Sequence, residues 1–264
     1  MNSTTDTAAA AKAAVDARVP VRRSWLRPYL AETRAELLRM KRTPAFVLPC
    51  LLFPVGFYLL FGVLIGDGDA ASYLLATYCV FGAMGPALFG FGVQLAFDRQ
   101  QGMFALRRAL PVPPLAPLVA RLLMAVLFAL GVAGLLMLAG HFIADVELTL
   151  PHVLILFGVA AFAALPIGAI GLLIGATSSA DASTAIVNVV YLPMALLSGL
   201  WLPLEQMPEI FTTLAPLWPT WHAAQLAMPT VGLDGGNPWL HATAMLAVTV
   251  VVTALAMRRL RRVG

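Results

Sequence analysis

The chain has 264 residues, 60% of them hydrophobic and only 11% charged, with a formal net charge of +4. A soluble domain carries about a quarter of its residues as charges, so this balance excludes a water-soluble globule and predicts an all-α integral membrane protein. Cys50 and Cys79 fall inside apolar stretches without C-x-x-C or zinc spacing, so both read as small packing residues.

The chain opens on a polar, Ala/Thr-rich head. A secretory signal would need its apolar core within the first 15 to 30 residues, whereas the first oily run starts only at Ala45. Residues 1–24 are therefore read as a disordered cytoplasmic tail, and residues 25–264 as one six-span membrane domain. The stretch SWLRPYLAETRAELLRMKRTP precedes the first run. At 100° per residue it places Trp25, Leu26, Tyr29, Leu30, Thr33, Leu37 and Met40 on one face, and Arg27, Arg34, Lys41 and Arg42 on the other. A basic amphipathic helix of this kind lies along the inner membrane surface as an elbow, although Glu36 intrudes on its oily side.

A spanning helix needs about 20 apolar residues. Six stretches qualify: Ala45–Ile65, Tyr73–Phe97, Leu122–Ala144, Val153–Ala176, Ala185–Leu202 and Trp239–Met257. Nine of the 17 Lys and Arg precede the first, four lie between the second and third, and four close the chain. The opposite loops hold Asp67, Asp69, Asp145, Glu147, Glu205, Glu209 and Asp234 without a basic residue, so the positive-inside rule predicts that both termini are cytoplasmic. The same basic excess is explained by the inner membrane surface, and no nucleic-acid partner is expected.

The six intervals contain no Asp, Glu, Lys or Arg, which argues against an ion-coupled transporter, a proton pump or a membrane protease. His141, His152, His222 and His241 lie near the outer ends or in outer loops and read as interfacial packing. Gly171 and Gly175 form a G-x-x-x-G pair, which serves packing within one chain or a dimer seam. Pro86 and Pro166 are expected to kink their helices. Gln94, Asn188 and Ser198 are lone polar groups inside or at the ends of spans; hydrogen bonding between helices is the plain reading, and lining a pathway is the alternative for Asn188.

Between the second and third runs, Met103, Leu106 and Leu110 make an apolar stripe beside Arg107 and Arg108 before Pro111, Pro113 and Pro114 stop the helix. Topology alone would need the arginines but not the stripe, so the short helix is expected to seek a partner. After the fifth run, SGLWLPLEQMPEIFTTLAPLWPTWHAAQLAM is too apolar for a solvated loop and too interrupted by proline for a span. It is read as two short helices re-entering the outer interface.

The elbow, the six spans, FDRQQGMFALRRALPVPPLAPLVARLL after span two and LPMALLSGLWLPLEQMPEIFTTLAPLWPTWHAAQL after span five together resemble the membrane subunit of ATP-binding-cassette exporters of the second permease type. The similarity covers roughly Trp25 to Met257, and Asp98 stands where members commonly have glutamate. It implies a permease that pairs with a second copy or a close relative and carries two ATPase subunits, which bind the ATP and magnesium. It assigns coupling to the ATPase to Asp98, Arg99, Gly102, Met103, Phe104, Leu106, Arg107 and Arg108, and the elbow to Trp25, Tyr29, Leu30 and Leu37. Gly171, Gly175, Asn188, Ser198 and Pro203 are the candidates for a pathway or dimer interface. The chain has no G-x-x-x-x-G-K, since its only lysines are Lys12 and Lys41, so it is expected to be a transport subunit and not an enzyme, without a cofactor or metal of its own. The cargo expected is hydrophobic or amphipathic: a drug, antibiotic, peptide or lipid-linked molecule. A membrane-embedded enzyme, or a non-transporting anchor or sensor, are the competing readings.

Overall fold

The computed structural model describes residues 26–66, 68–103, 113 and 115–263, and every regular element among them is helical. Helix α1 (Leu26–Lys41) comes first. Six helices long and apolar enough to cross a membrane follow, numbered here as spans one to six: Val47–Ile65, Ala70–Gln100, Ala116–Ile143, Leu150–Thr177, Ala180–Leu197 and Pro238–Leu260. The polar head, Trp25 and the loop residues Phe104, Leu106, Arg107 and Arg108 lie outside the described residues.

The spans run past the apolar intervals that announce them, because a helix ends where its hydrogen-bond ladder ends and not where its side chains turn polar. Span two continues through Asp98 and Arg99, and span three begins before Arg121. The expectation that no span holds an ionisable residue is thereby corrected. Span five sits five residues earlier than its apolar run suggested. Ser179 caps it, its Oγ accepting the Ala182 N–H at 3.3 Å, and Asp181 sits in the first turn. A carboxylate there complements the positive end of the helix dipole.

Span two is the hub. It packs against spans one, three and four, and its middle, Leu74 to Leu88, is almost wholly buried. The close approach to span four depends on small residues. A Cβ on Gly175 would stand 2.7 Å from the carbonyl oxygens of Phe91 and Gly92, and one on Gly171 would stand 2.8 Å from that of Ala87. Both contacts are with span two of the same chain, so the G-x-x-x-G pair serves packing within one chain and is not a free seam for a second copy.

Pro86 has no N–H to close the ladder, and three residues on, span two opens into a π-helical stretch, Phe89–Val93, before α-helix resumes at Gln94–Gln100. Span one does the same after Pro54, with a π-helical stretch at Leu59–Ile65. Span four, by contrast, runs through Pro166 as one continuous α-helix.

Helix α1 lays Tyr29, Thr33, Glu36 and Met40 toward the bundle, mainly against span three, and leaves Leu26, Leu30 and Leu37 exposed. The oily face read from the sequence is thus split between protein and surroundings. Glu36 lies on the bundle-facing part of that face, as the most buried residue of the helix, and is paired there with Arg121.

Between spans five and six the chain forms α2 (Glu209–Leu214) and α3 (Pro219–Ala227), joined by short 3₁₀ turns. Only α3 enters the bundle. Thr220, His222, Ala223, Ala224 and Ala227 are buried against spans two, four and six, whereas α2 buries nothing.

Candidate functional site: the basic end, an aromatic cleft and the re-entrant segment

Asp98 and Arg99 are neighbours in sequence, so on a helix they point about 100° apart and reach different partners. The Asp98 carboxylate accepts a hydrogen bond from Arg121 Nη2 of span three and has Arg39 Nη1 of α1 at 3.8 Å. Arg121 Nε reaches back to Glu36 at 3.4 Å, and Arg39 Nη2 donates to Gln94 Oε1 at 2.5 Å. Glu36, Asp98 and Arg121 are each less than a tenth exposed. Two carboxylates and two guanidinia thus neutralise one another across α1, span two and span three. Buried charges are tolerated only when paired and hydrogen-bonded in this way.

Arg99 faces the other side. Its Nη1 donates to the Gly175 carbonyl at 2.6 Å and lies 3.4 Å from that of Ser178. These are orphan carbonyls at the last turn of span four, where a cation also complements the negative end of the dipole. The charged dipeptide therefore ties the end of span two to α1 and span three with one residue and to span four with the next. Gly102 then turns the chain out of the helix at φ 71°, its N–H bonded to Arg99 O at 3.1 Å. Nothing stands within 4 Å of where its Cβ would be, so glycine is required there by backbone conformation and not by space. Met103 follows, partly buried, at the edge of the loop.

A cleft of about 350 Å³ opens between spans one, two and five, lined by Cys50, Phe53, Phe81, Phe89, Asn188 and Tyr191 among others. Phe81 is its centre: its ring meets those of Tyr78, Tyr191 and Trp201 at 5.4, 5.6 and 5.8 Å. The Tyr78 hydroxyl and the Trp201 indole N–H are buried without a hydrogen-bond partner. Among the described residues Asn188 bonds no neighbouring helix. Its Nδ2 donates to Thr184 O of its own span at 3.0 Å, and the residue is exposed.

At the opposite end, polar contacts fasten the segment between spans five and six, read from the sequence as re-entrant. Ser198 Oγ lies 2.5 Å from Thr220 Oγ1, and the Tyr73 hydroxyl donates to Gly199 O at 2.5 Å. Pro203 begins the 3₁₀ turn Leu204–Gln206. Ser198 is therefore a fastener between span five and α3, not a wall of the cleft. His222 and His241, 19 residues apart, meet through their Nδ1 atoms at 2.9 Å.

The structure brings together Asp98 and Arg99 at one latch, keeps Gly171 and Gly175 beneath Phe91, and holds Ser198 away from Asn188 by about half the length of span five. Sequence reading missed Arg39 and Arg121 as partners of Asp98, and Glu36 as the second acid on Arg121. The signal was present: an acid on the inward face of an amphipathic helix demands a cation, and Arg121 heads an apolar run. Among the described residues no group of three His, Cys, Asp or Glu is placed to hold a metal.

Comparison with known proteins matches residues 28–231 to the family described as ABC-2 type transporter. A Bacillus subtilis (strain 168) protein named "Putative transport permease YvfS" is 30% identical over 235 residues, covering 86% of this chain and 94% of the relative. The match takes in nearly all of α1, the latch around Asp98, spans one to five and both short helices α2 and α3, and on these grounds the chain belongs to the ABC-2 type transporter family of membrane permeases.

Proposed function

We propose that this permease exports a hydrophobic or amphipathic molecule, as a pair of half-bundles driven by two ATP-binding-cassette subunits that hydrolyse ATP with magnesium. The observation that carries this reading is the latch at Asp98 and Arg99. The segment that follows it is short, basic and apolar-striped. A push on that segment is delivered at once to span two, span three, span four and α1, because buried charge pairs join three of them and Arg99 bonds the backbone of span four. Span two has its π-helical stretch directly above the latch, the place where a rigid thrust is converted into bending. Phe104, Leu106, Arg107 and Arg108 are the contact surface for the ATPase, and the chain itself holds no nucleotide.

The second copy or close relative packs on the side of spans one and five. Asp181, Thr184 and Asn188 recur at three and four residues along the exposed face of span five, a polar stripe that lipid would penalise and a pathway would use. The aromatic cleft beside it, lined by Phe53, Phe81, Phe89 and Tyr191 with Asn188 as its polar group, suits a flat apolar cargo. The protein sits in the plasma membrane of a prokaryote with both termini cytoplasmic, as its basic residues direct, and the exposed leucines of α1 lie in the inner interface.

The test is Arg107→Glu with Arg108→Glu in the purified transporter, reconstituted with the ATPase subunit that co-purifies with it. Insertion stays normal, while ATPase binding or cargo-stimulated hydrolysis falls at least tenfold, as expected when a desolvated charge contact is reversed at an interface. Normal hydrolysis and normal transport by the double variant would overturn the assignment.

A further inference from the structure

The histidine pair at the end opposite the latch serves no part of the coupling just described. His222 lies in α3 of the re-entrant segment and His241 at the start of span six, and both are buried. Their protonation is dictated by geometry. His222 Nε2 is 3.0 Å from the Pro216 carbonyl, which can only accept, so Nε2 carries a proton. Neutral His222 then presents Nδ1 as a lone pair, and the 2.9 Å contact requires His241 to donate from its own Nδ1. One proton is shared between two facing nitrogens. A proton added to the pair goes to His241 Nε2, on the side of the Gly235 carbonyl, and leaves the contact intact; only when both rings are charged does N–H stand against N–H at hydrogen-bond distance, and the contact then turns repulsive.

We propose that His222 and His241 form a proton-operated latch, closing the re-entrant segment onto span six while the pair holds at most one added proton and releasing it when the outer medium turns acidic enough to charge both rings. The proposal rests on the permease reading only for the side of the membrane it faces. Beyond one carbonyl for each ring, the described surroundings contain nothing to absorb the second charge. The Pro216 carbonyl faces His222 and the Gly235 carbonyl faces His241, and the Trp221 ring sits 5.0 and 5.2 Å from the two imidazoles. On the elements packed against α3, the nearby titratable groups are His152 on span four and Tyr73 on span two, whose hydroxyl is committed to Gly199. In the adjoining loops they are Glu205, Glu209 and Asp234, the last accepting from the Gly236 N–H at 2.9 Å. Among the described residues none makes an ion pair with either ring.

Burial also holds the His222 imidazole below the ordinary histidine value of 6.5, with His241 lowering it further. The sign follows. A group whose closed-state value is depressed stabilises the closed state above about pH 6.5, and that stability is lost as pH falls. Below that point the released fraction grows by up to about tenfold per pH unit until the closed-state value is reached.

The experiment places spin labels at Leu217 and Leu246, both exposed, with Cys50 and Cys79 replaced by alanine, in the full chain in lipid nanodiscs. Distances are recorded by pulsed electron resonance between pH 8 and pH 5. The expected result is one distance at pH 8 and a second, longer population growing below pH 6.5. His241→Gln keeps a single distance at every pH, because an amide can donate to neutral His222 and, turned over, accept from protonated His222. A wild-type distance distribution that does not change with pH, or a His241→Gln response equal to wild type, overturns the latch. Neither readout involves an ATPase or cargo, so the result is independent of whether the permease reading stands.

Discussion

Arg121→Met is the sharpest perturbation of the basic end. The methionine replaces a buried cation by a side chain of similar length, so packing is nearly kept and charge is lost. It leaves Asp98 with only Arg39, 3.8 Å away, and removes from Glu36 the guanidinium at 3.4 Å, while both acids stay less than a tenth exposed. Removing one partner of a buried pair costs about 3 to 5 kcal/mol, and the low exposure of both acids gives little solvent relief, so the upper half of that range is expected. Asp98→Asn is milder, about 1 to 3 kcal/mol, because Arg121 keeps Glu36 and the new amide oxygen still accepts. Adding Glu36→Gln and Asp98→Asn to Arg121→Met recovers much of the loss, since no unpaired charge remains. Denaturant unfolding of the purified protein in mixed micelles, followed by tryptophan fluorescence, measures all four proteins. An Arg121→Met within about 0.5 kcal/mol of wild type, or a triple variant less stable than the single, refutes the view that these charges are buried and mutually compensated.

Gly175→Ala forces a Cβ against two carbonyl oxygens and is expected to cost about 1 to 3 kcal/mol, whereas Gly158→Ala, with nothing within 4 Å, is neutral or slightly stabilising; thermal unfolding compares the two. Gly102→Ala strains a φ of 71° by about 1 to 2 kcal/mol without a clash, and the loss shows as weaker protection of the last turn of span two in hydrogen exchange. Tyr73→Phe removes the donor to Gly199 and loosens the re-entrant segment by about 1 kcal/mol, read as faster proteolysis between 199 and 219. Asn188→Leu leaves unfolding stability within about 0.5 kcal/mol, because Asn188 bonds only its own helix, but lowers transport; unchanged transport removes Asn188 from the pathway.

The fold was legible because its cause is one-dimensional. Hydrocarbon demands internally bonded backbone over about 20 residues, and an apolar run of that length shows in any sequence. Helix α1, the Asp98–Arg99 dipeptide and the proline-interrupted segment between spans five and six were visible for the same local reason, as departures from apolar runs. What stayed hidden was the pairing. Glu36, Asp98 and Arg121 are separated by 85 and 23 residues along the chain, and His222 and His241 by 19, so only the tertiary arrangement says which charge or imidazole answers which. Gly171 and Gly175 show the opposite limit. Their spacing announced a close helix contact correctly, but a small-residue face is the same whether the partner is span two or a second copy, and burial against Phe91 decides it.

The account depends most on force entering at the loop after span two. In a background without Cys50 and Cys79, Met103→Cys, partly buried at the root of that loop, is treated in intact cells with a membrane-impermeant thiol reagent and, separately, with a short bifunctional crosslinker in inverted vesicles. Crosslinking to the ATP-binding-cassette subunit from the cytoplasmic side, with no labelling of intact cells, is the predicted result. Labelling from outside, or an ATPase subunit that binds with Met103 wholly free, contradicts it.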